Sequence, residues 1–226
     1  MAEAAPEEVE SNASGRLKIT EIFLSLQGET RSVGLPTVFV RLTGCPLRCR
    51  YCDTAYAFTG GEWLAHDEIL ARVAAYGVRH VTVTGGEPLA QKHCVALLRD
   101  LADAGYHVSL ETSGALDVAA VDPRVVKVLD LKTPSSGESH RNLWSNLAAL
   151  SPRDQIKFVI GDRDDYAWAG EHLLRYGLAQ RCEVLYSPVY GRLPASDLAD
   201  WVLADRLPVR MQIQLHKVLW GDVPGR

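Results

Sequence analysis

The 226-residue sequence has no apolar run near the ~20 residues that a membrane-crossing helix needs. It lacks a strong excess of either charge. The net charge of −4 argues against a general nucleic-acid or membrane-surface binder. Cysteine is scarce and odd in number, with five residues. No secretory leader is recognisable, so a disulfide framework is not expected. Nor are there paired C-x2-4-C and H-x3-5-H units of the kind that close a structural zinc site; His66 and His80, downstream of the first cysteines, fit no such pair. Internal repeats and long linkers are absent too. What remains is an ordinary globular composition, 47% hydrophobic and 23% charged. One domain over residues 17–226 is expected, after an acidic, Ala/Ser-rich mobile tail over residues 1–16. Reduced thiols suit the cytoplasm.

The pattern alternates short β-rich runs with helical stretches. Strands are expected at 37–42 (TVFVRL), 80–84 (HVTVT), 108–111, 125–131, 155–160 (QIKFVI), 183–186 and 209–214. Helices are expected at 67–76, 90–104, 164–176 and 195–203, several ending at a glycine. Strand–helix alternation implies βαβ units, a mostly parallel α/β sheet and right-handed crossovers. A full (β/α)8 barrel takes about 250 residues, so an incomplete (β/α) barrel is the expected fold. In such folds chemistry gathers where strands end. The polar and glycine-rich stretches do fall there: Cys45 onward, Gly85-Gly86-Glu87-Pro88, Glu111-Thr112-Ser113-Gly114, Lys132-Thr133-Pro134, Ser187-Pro188 and His216.

Cys45-Pro-Leu-Arg-Cys49-Arg-Tyr-Cys52 is the most informative of these. Fe–S cubes are normally closed by four cysteines. Here C-x3-C-x2-C supplies three from one loop, while Cys94 and Cys182 stand alone in segments that read as core. An open iron corner can take a small molecule and do chemistry on it. Zinc is the lesser reading of the loop, and disulfides the least.

Thr84-Gly85-Gly86-Glu87-Pro88 follows a strand, where paired glycines allow close approach to the backbone and Glu87 can accept from an ammonium; a plain turn, with Pro88 opening a helix, is the bland reading. Gln27-Gly28-Glu29 reads as a turn between strands, or as an amide and a carboxylate near the barrel mouth. Arg41, in an apolar strand running into the cysteine loop, is costly unless paired or used on an anion. Asp53-Thr54 is either a turn or an oxygen pair able to support Mg²⁺. His216 reads as a late-strand residue, with Gln212 and Gln214 on one face suggesting a polar pocket. The five tryptophans are assigned to packing.

The cysteine loop followed by Gly-Gly-Glu resembles the signature of the radical S-adenosylmethionine (SAM) superfamily. Taken with Leu26-Gln-Gly-Glu29, Arg41-Leu-Thr-Gly-Cys45, Cys52-Asp-Thr54, Glu111-Thr-Ser-Gly114 and Gln214-Leu-His-Lys217, the chain resembles the 7-carboxy-7-deazaguanine synthase family of queuosine biosynthesis. The resemblance implies a lyase that converts 6-carboxy-5,6,7,8-tetrahydropterin to 7-carboxy-7-deazaguanine, with loss of ammonia. Hydrogen would be abstracted at C6 by a SAM-derived 5′-deoxyadenosyl radical, followed by ring contraction. It implies a [4Fe-4S] cluster on Cys45, Cys49 and Cys52. It implies SAM beside Tyr51, Asp53, Gly86, Glu87, Lys132 and Ser187, and Mg²⁺ on Thr54. The pterin would be held by Leu26, Gln27, Gly28, Glu29, Arg41, Thr84, Glu111 and His216. A homodimer and a flavodoxin or ferredoxin electron donor are implied as well. Two stretches depart from the family pattern: Asp130-Leu131-Lys132 stands for Ser-Pro-Lys, and Ser187-Pro188 for Gln-Pro. The alternatives are a radical SAM activase of a partner protein and a non-enzymatic metal-binding module. The activase would show a large exposed groove in place of a closed small-molecule pocket.

Overall fold

The computed structural model describes residues 15–225; residues 1–14, most of the expected tail, and residue 226 lie outside the described residues. Among the described residues, nine strands form one sheet: β1 (Arg16–Leu26), β2 (Pro36–Leu42), β3 (Glu62–Ala65), β4 (His80–Gly85), β5 (His107–Thr112), β6 (Val126–Leu131), β7 (Gln155–Ile160), β8 (Glu183–Pro188) and β9 (Arg210–Met211). Their order is β3-β1-β2-β4-β5-β6-β7-β8-β9. From β2 to β9 every neighbour is parallel, whereas β1 runs antiparallel to both β2 and β3. The sheet does not close, β3 and β9 remaining at its two edges, as expected of an incomplete barrel.

Five α-helices among the described residues accompany the strands: α1 (His66–Ala74), α2 (Cys94–Asp103), α3 (Arg163–Arg175), α4 (Ala195–Asp205) and α5 (Leu215–Trp220). The strand period of two decides which residues serve the core and which the interior. Val38, Val40 and Leu42 of β2, Val81 and Val83 of β4, Leu110 of β5, Leu129 and Leu131 of β6, and Ile156, Phe158 and Ile160 of β7 join one buried apolar cluster with Leu97, Leu98 and Leu101 of α2. The intervening positions carry Phe39, Arg41, Thr84, Glu111, Val128, Asp130, Lys157 and Val159, all of which line the interior cavity.

Several expectations are corrected. The chain enters the sheet at Arg16, which pairs with Ala65. The antiparallel strands β1 and β3 lacked a clean signal. The helix expected at 90–104 is shorter, because Pro88–Ala90 forms a separate 3-10 turn before α2. The last strand is only Arg210–Met211, and His216 lies in α5, not late in a strand. The connection 27–35 does not sit at the mouth. Because β1 is antiparallel, its end falls beside the start of β2, at the lower end of the parallel strands. There Arg31 N donates to Gln155 Oε1 at 3.2 Å, and the Arg31 guanidinium pairs with Glu183 at 3.3 Å, residues that open β7 and β8. Leu215 N donates to Gly28 O at 2.9 Å, which joins this loop to the start of α5.

Candidate active site

One cavity of about 450 Å³ runs from this floor to the ends of the parallel strands, a size suited to a small ligand. Cys45, Cys49 and Cys52 line it at the mouth, in the loop that leaves β2. The loop is held by backbone bonds: Gly44 N to Ala57 O at 2.8 Å, Cys52 N to Cys49 O at 3.2 Å and Arg50 N to Ser136 O at 3.0 Å. Glu87 N donates to Gly44 O at 2.8 Å, which ties the Gly-Gly-Glu turn to the loop's first residue. Gly86 is required by this clasp, since a Cβ there would lie 2.1 Å from Gly44 O and 2.8 Å from Cys45 Cβ.

The three thiols are partly buried, and all are free. Burial raises each pKa, that of Cys49 to about 11, against the opposing pull of Lys132. They become thiolates only against strong cationic charge, so metal binding there displaces protons. Three such thiols on one loop, facing a cavity, fit a cluster with an open iron. Among the described residues, no three His, Cys, Asp or Glu converge tightly enough for a single metal ion.

The rest of the cavity carries a chain of charges. Lys132 Nζ lies 3.0 Å from Asp130 Oδ1, Lys157 Nζ 3.2 Å from Asp130 Oδ2, and Lys157 Nζ 2.6 Å from Glu29 Oε2. Gln214 Nε2 then joins Glu29 Oε1 at 2.8 Å to Asp53 Oδ2 at 3.2 Å. Lys217 continues to Asp53 at 2.9 Å and to Asp222 at 3.4 Å. Burial alone would raise the Asp53 carboxyl, but Lys217 and hydrogen bonds from Thr54 and Gln214 hold it well below the usual range. The Asp130 carboxyl is likewise lowered: burial opposes ionisation, and Lys132 and Lys157 overcome it.

Beside this chain, Glu111 accepts from Thr84 Oγ1 at 3.2 Å and from Gln27 Nε2 at 3.3 Å. Its pKa is raised by burial, with Glu29 adding to the effect and Lys157 and Arg41 opposing it. Arg41 pairs with Glu21 at 2.7 Å and lies 5.7 Å from the Phe23 ring centroid, so the strand arginine is both partnered and presented to the cavity. His216 abuts Gly28, where a Cβ would sit 2.0 Å from Nδ1. Burial lowers the His216 pKa, which favours the neutral ring.

All the residues expected to hold the pterin share this wall, as do Tyr51, Asp53, Thr54, Gly86 and Lys132. Two expected residues do not. Ser187 is fully buried off the wall. Glu87 is fully buried behind it, accepting from Leu89 N at 3.0 Å, Thr112 Oγ1 at 2.9 Å, Ser113 N at 2.6 Å and Ser113 Oγ. It braces the Thr112-Ser113 turn from behind the wall. Lys157 and Asp130 were not expected as site residues, although a lysine inside QIKFVI is the same signal as Arg41 inside TVFVRL. Cys94 and Cys182 are buried in the core, as expected.

A model of the Radical SAM superfamily matches residues 39–131, the stretch from β2 through β6. A 7-carboxy-7-deazaguanine synthase of Chlorobaculum tepidum is 47% identical over 208 residues, spanning 91% of this chain and 94% of the relative. The chain belongs to the 7-carboxy-7-deazaguanine synthase family. A synthase of Koribacter versatilis is 45% identical over 90% of this chain and 97% of its own length. The crystal structure of QueE from Escherichia coli matches with a TM-score of 0.74 at 25% identity, covering 89% of this chain and 95% of that one. Membership of the family makes the chain a radical SAM enzyme of queuosine biosynthesis, whose cofactors are a [4Fe-4S] cluster and SAM. Among the described residues, no helix is long and apolar enough to cross a membrane.

Proposed function

We propose that the cavity converts 6-carboxy-5,6,7,8-tetrahydropterin to 7-carboxy-7-deazaguanine and ammonia. The observation that carries this reading is the shared wall. Gln27, Glu29, Arg41, Thr84, Glu111 and His216 surround the same small volume as the three thiols. An activase of a partner protein has no use for that polar set, and a cavity of about 450 Å³ is scaled to a small molecule.

Cys45, Cys49 and Cys52 would hold the cluster, and Tyr51, Asp53, Gly86 and Lys132 would line SAM. When bound, the cluster and SAM supply one-electron cleavage chemistry and the fragment that abstracts hydrogen. The chain's own residues bind, orient and exclude water. Glu111, aligned by Thr84 and Gln27, accepts from the N–H edge of the pyrimidinone ring. Arg41, fixed by Glu21, offers positive charge to the substrate's carboxylate side. Neutral His216 closes the opposite wall over Gly28. Glu87 acts at one remove, by fixing Ser113, which is itself on the wall.

Thr54 Oγ1 donates to Asp53 Oδ1 at 2.9 Å in this structure, so its lone pairs remain available to a hard cation. Mg²⁺ commonly takes one or two protein oxygens and completes its shell with substrate and water. Thr54→Ala should weaken activation by Mg²⁺, and an unchanged Mg²⁺ titration would remove Thr54 from that role. A homodimer, a cytoplasmic setting, and flavodoxin or ferredoxin as donor belong to the same reading.

The test is an anaerobic assay of iron-reconstituted protein with SAM, Mg²⁺, dithionite and the tetrahydropterin, read by mass spectrometry. Appearance of 7-carboxy-7-deazaguanine establishes substrate and reaction together. SAM cleavage with the pterin intact would overturn the substrate reading and leave the cofactor chemistry standing.

A further inference from the structure

The buried Lys157 has no part in the roles assigned above, yet it sits between them. It projects from the middle of β7 into the cavity and is buried among acids from three other elements. Glu29, from the loop after β1, lies 2.6 Å from its Nζ, and Asp130 of β6 lies 3.2 Å away. Glu111 of β5 feels its charge as well. The other charged or titratable groups facing this set are Lys132 just after β6, Arg41 on β2, Cys49, Tyr51 and Asp53 of the cysteine loop, and His216 and Lys217 on α5. Lys132 is matched to Asp130, and Arg41 to Glu21. Lys157 is therefore the cation common to Glu29, Glu111 and Asp130.

We propose that Lys157 is the positioning residue that keeps Glu29 and Glu111 together as hydrogen-bond acceptors on the cavity floor, and so sets selectivity for a ring edge made of adjacent N–H donors. A carboxylate with no proton is an acceptor only; a protonated one also donates. A 2-amino-4-oxo pyrimidine ring presents N3–H and the 2-amino group side by side. That edge matches a pure acceptor. A 2,4-dioxo ring replaces the amino donor with a carbonyl acceptor, which suits a protonated acid. Without Lys157, Asp130 keeps Lys132, but Glu29 and Glu111 are left in one buried site with no cation paired to either. Like charges in low dielectric cannot all ionise, so the floor would take up a proton and turn partly into a donor. Removing one partner of a buried ion pair is costly for the same reason.

This inference rests on the reading that the cavity holds the pterin ring, and the experiment separates the two. Equilibrium dialysis on the cluster-loaded, SAM-bound protein measures binding of 6-carboxypterin, which is oxidised and does not turn over, and of 6-carboxylumazine, its 2-oxo counterpart. The parent should prefer the pterin. Lys157→Met should bind pterin at least about tenfold more weakly near neutral pH, a loss of one ordinary charged hydrogen bond. It should also lose the preference over lumazine, and regain pterin affinity as pH rises and the floor gives up its proton. Lys157→Arg should stay within about threefold of the parent on both ligands, and SAM affinity should be unchanged in both variants. A merely structural lysine would lower affinity for pterin, lumazine and SAM alike without altering the preference or the pH profile, and that result overturns the proposal. So does a Lys157→Met protein that keeps the parent's preference. A parent that binds neither ring overturns the pterin reading and this inference with it.

Discussion

At the mouth of the cavity, Cys45, Cys49 and Cys52 are half-buried thiols whose ionised form is disfavoured by desolvation, on a loop held through its backbone. On the floor, Lys157 is already joined to Glu29 and Asp130 in ion pairs, Asp130 passes the chain on to Lys132 near Cys49, and Glu111 is aligned by two neutral donors. Both regions use ionisable groups in low dielectric, where an uncompensated charge is expensive. The floor compensates within the chain, so its geometry exists before a ligand arrives. The mouth relies on a metal cluster to draw off the thiol protons. Loading at the mouth should thus be separable from the shape of the floor.

The strongest break in that comparison is Cys49→Ala. Anaerobic reconstitution should leave iron near background and SAM uncleaved, because two cysteines cannot hold the cube. The apo-protein should melt within about 1 kcal/mol of the parent, since the loop's fixing bonds are to backbone atoms. Parent-like iron content would refute the ligand assignment. A collapsed melting transition would show that mouth and floor are not independent.

Glu87→Ala comes next, and its effect should appear in stability more than in direct ligand contact. The substitution leaves Leu89 N, Ser113 N and the hydroxyls of Thr112 and Ser113 without their buried acceptor. Orphaned buried donors of this kind should lower unfolding free energy by roughly 2–4 kcal/mol in urea melts. Unchanged stability with a selective loss of SAM affinity would return Glu87 to the cavity wall.

The contrast between these residues also shows how far the sequence could be read. The cysteine spacing, the glycine pair and the strand–helix alternation are local signals, and they survive intact in the structure. The polar residues of the interior follow from period two once a strand is located. Arg41, Thr84 and Glu111 were legible in that way, and Lys157 could have been. Glu87 could not be placed by its motif, because burial behind the wall depends on the Thr112-Ser113 turn of another strand. Of the two readings of Gln27-Gly28-Glu29 the turn between strands holds, but the sequence does not show that β1 is antiparallel, and strand direction decides at which end of the barrel Gln27 and Glu29 emerge. The place of His216 in α5 is not legible in the sequence, because the two residues of β9 are too few to show where the strand ends.

Gly28→Ala tests the seam where the 27–35 loop meets α5. The new methyl would sit 2.0 Å from His216 Nδ1, and the imidazole has to move. Overpacking should cost about 1–3 kcal/mol. Displacement of a positioning group by about an ångström should reduce turnover by roughly 10²-fold, with iron content and SAM binding as in the parent. Near-normal turnover would mean that the ring can shift without consequence, and that His216 is not held in place by Gly28.

The smallest effect concerns His216 itself and follows from its direction of shift. Burial lowers its pKa in the folded chain, opposed by Glu29 and Asp53. Between the unfolded value near 6.5 and the lower folded value, the unfolded chain binds more protons than the folded one. Stability from the neutral ring is therefore complete above about pH 6.5 and is lost as pH falls through that window. His216→Gln keeps a polar side chain but cannot titrate. Its unfolding free energy should fall less steeply than the parent's as pH drops below 6.5, with matching slopes above it. Identical slopes in both proteins would mean that solvent reaches the ring freely in the folded state. The seam between α5 and the floor would then be open, not closed.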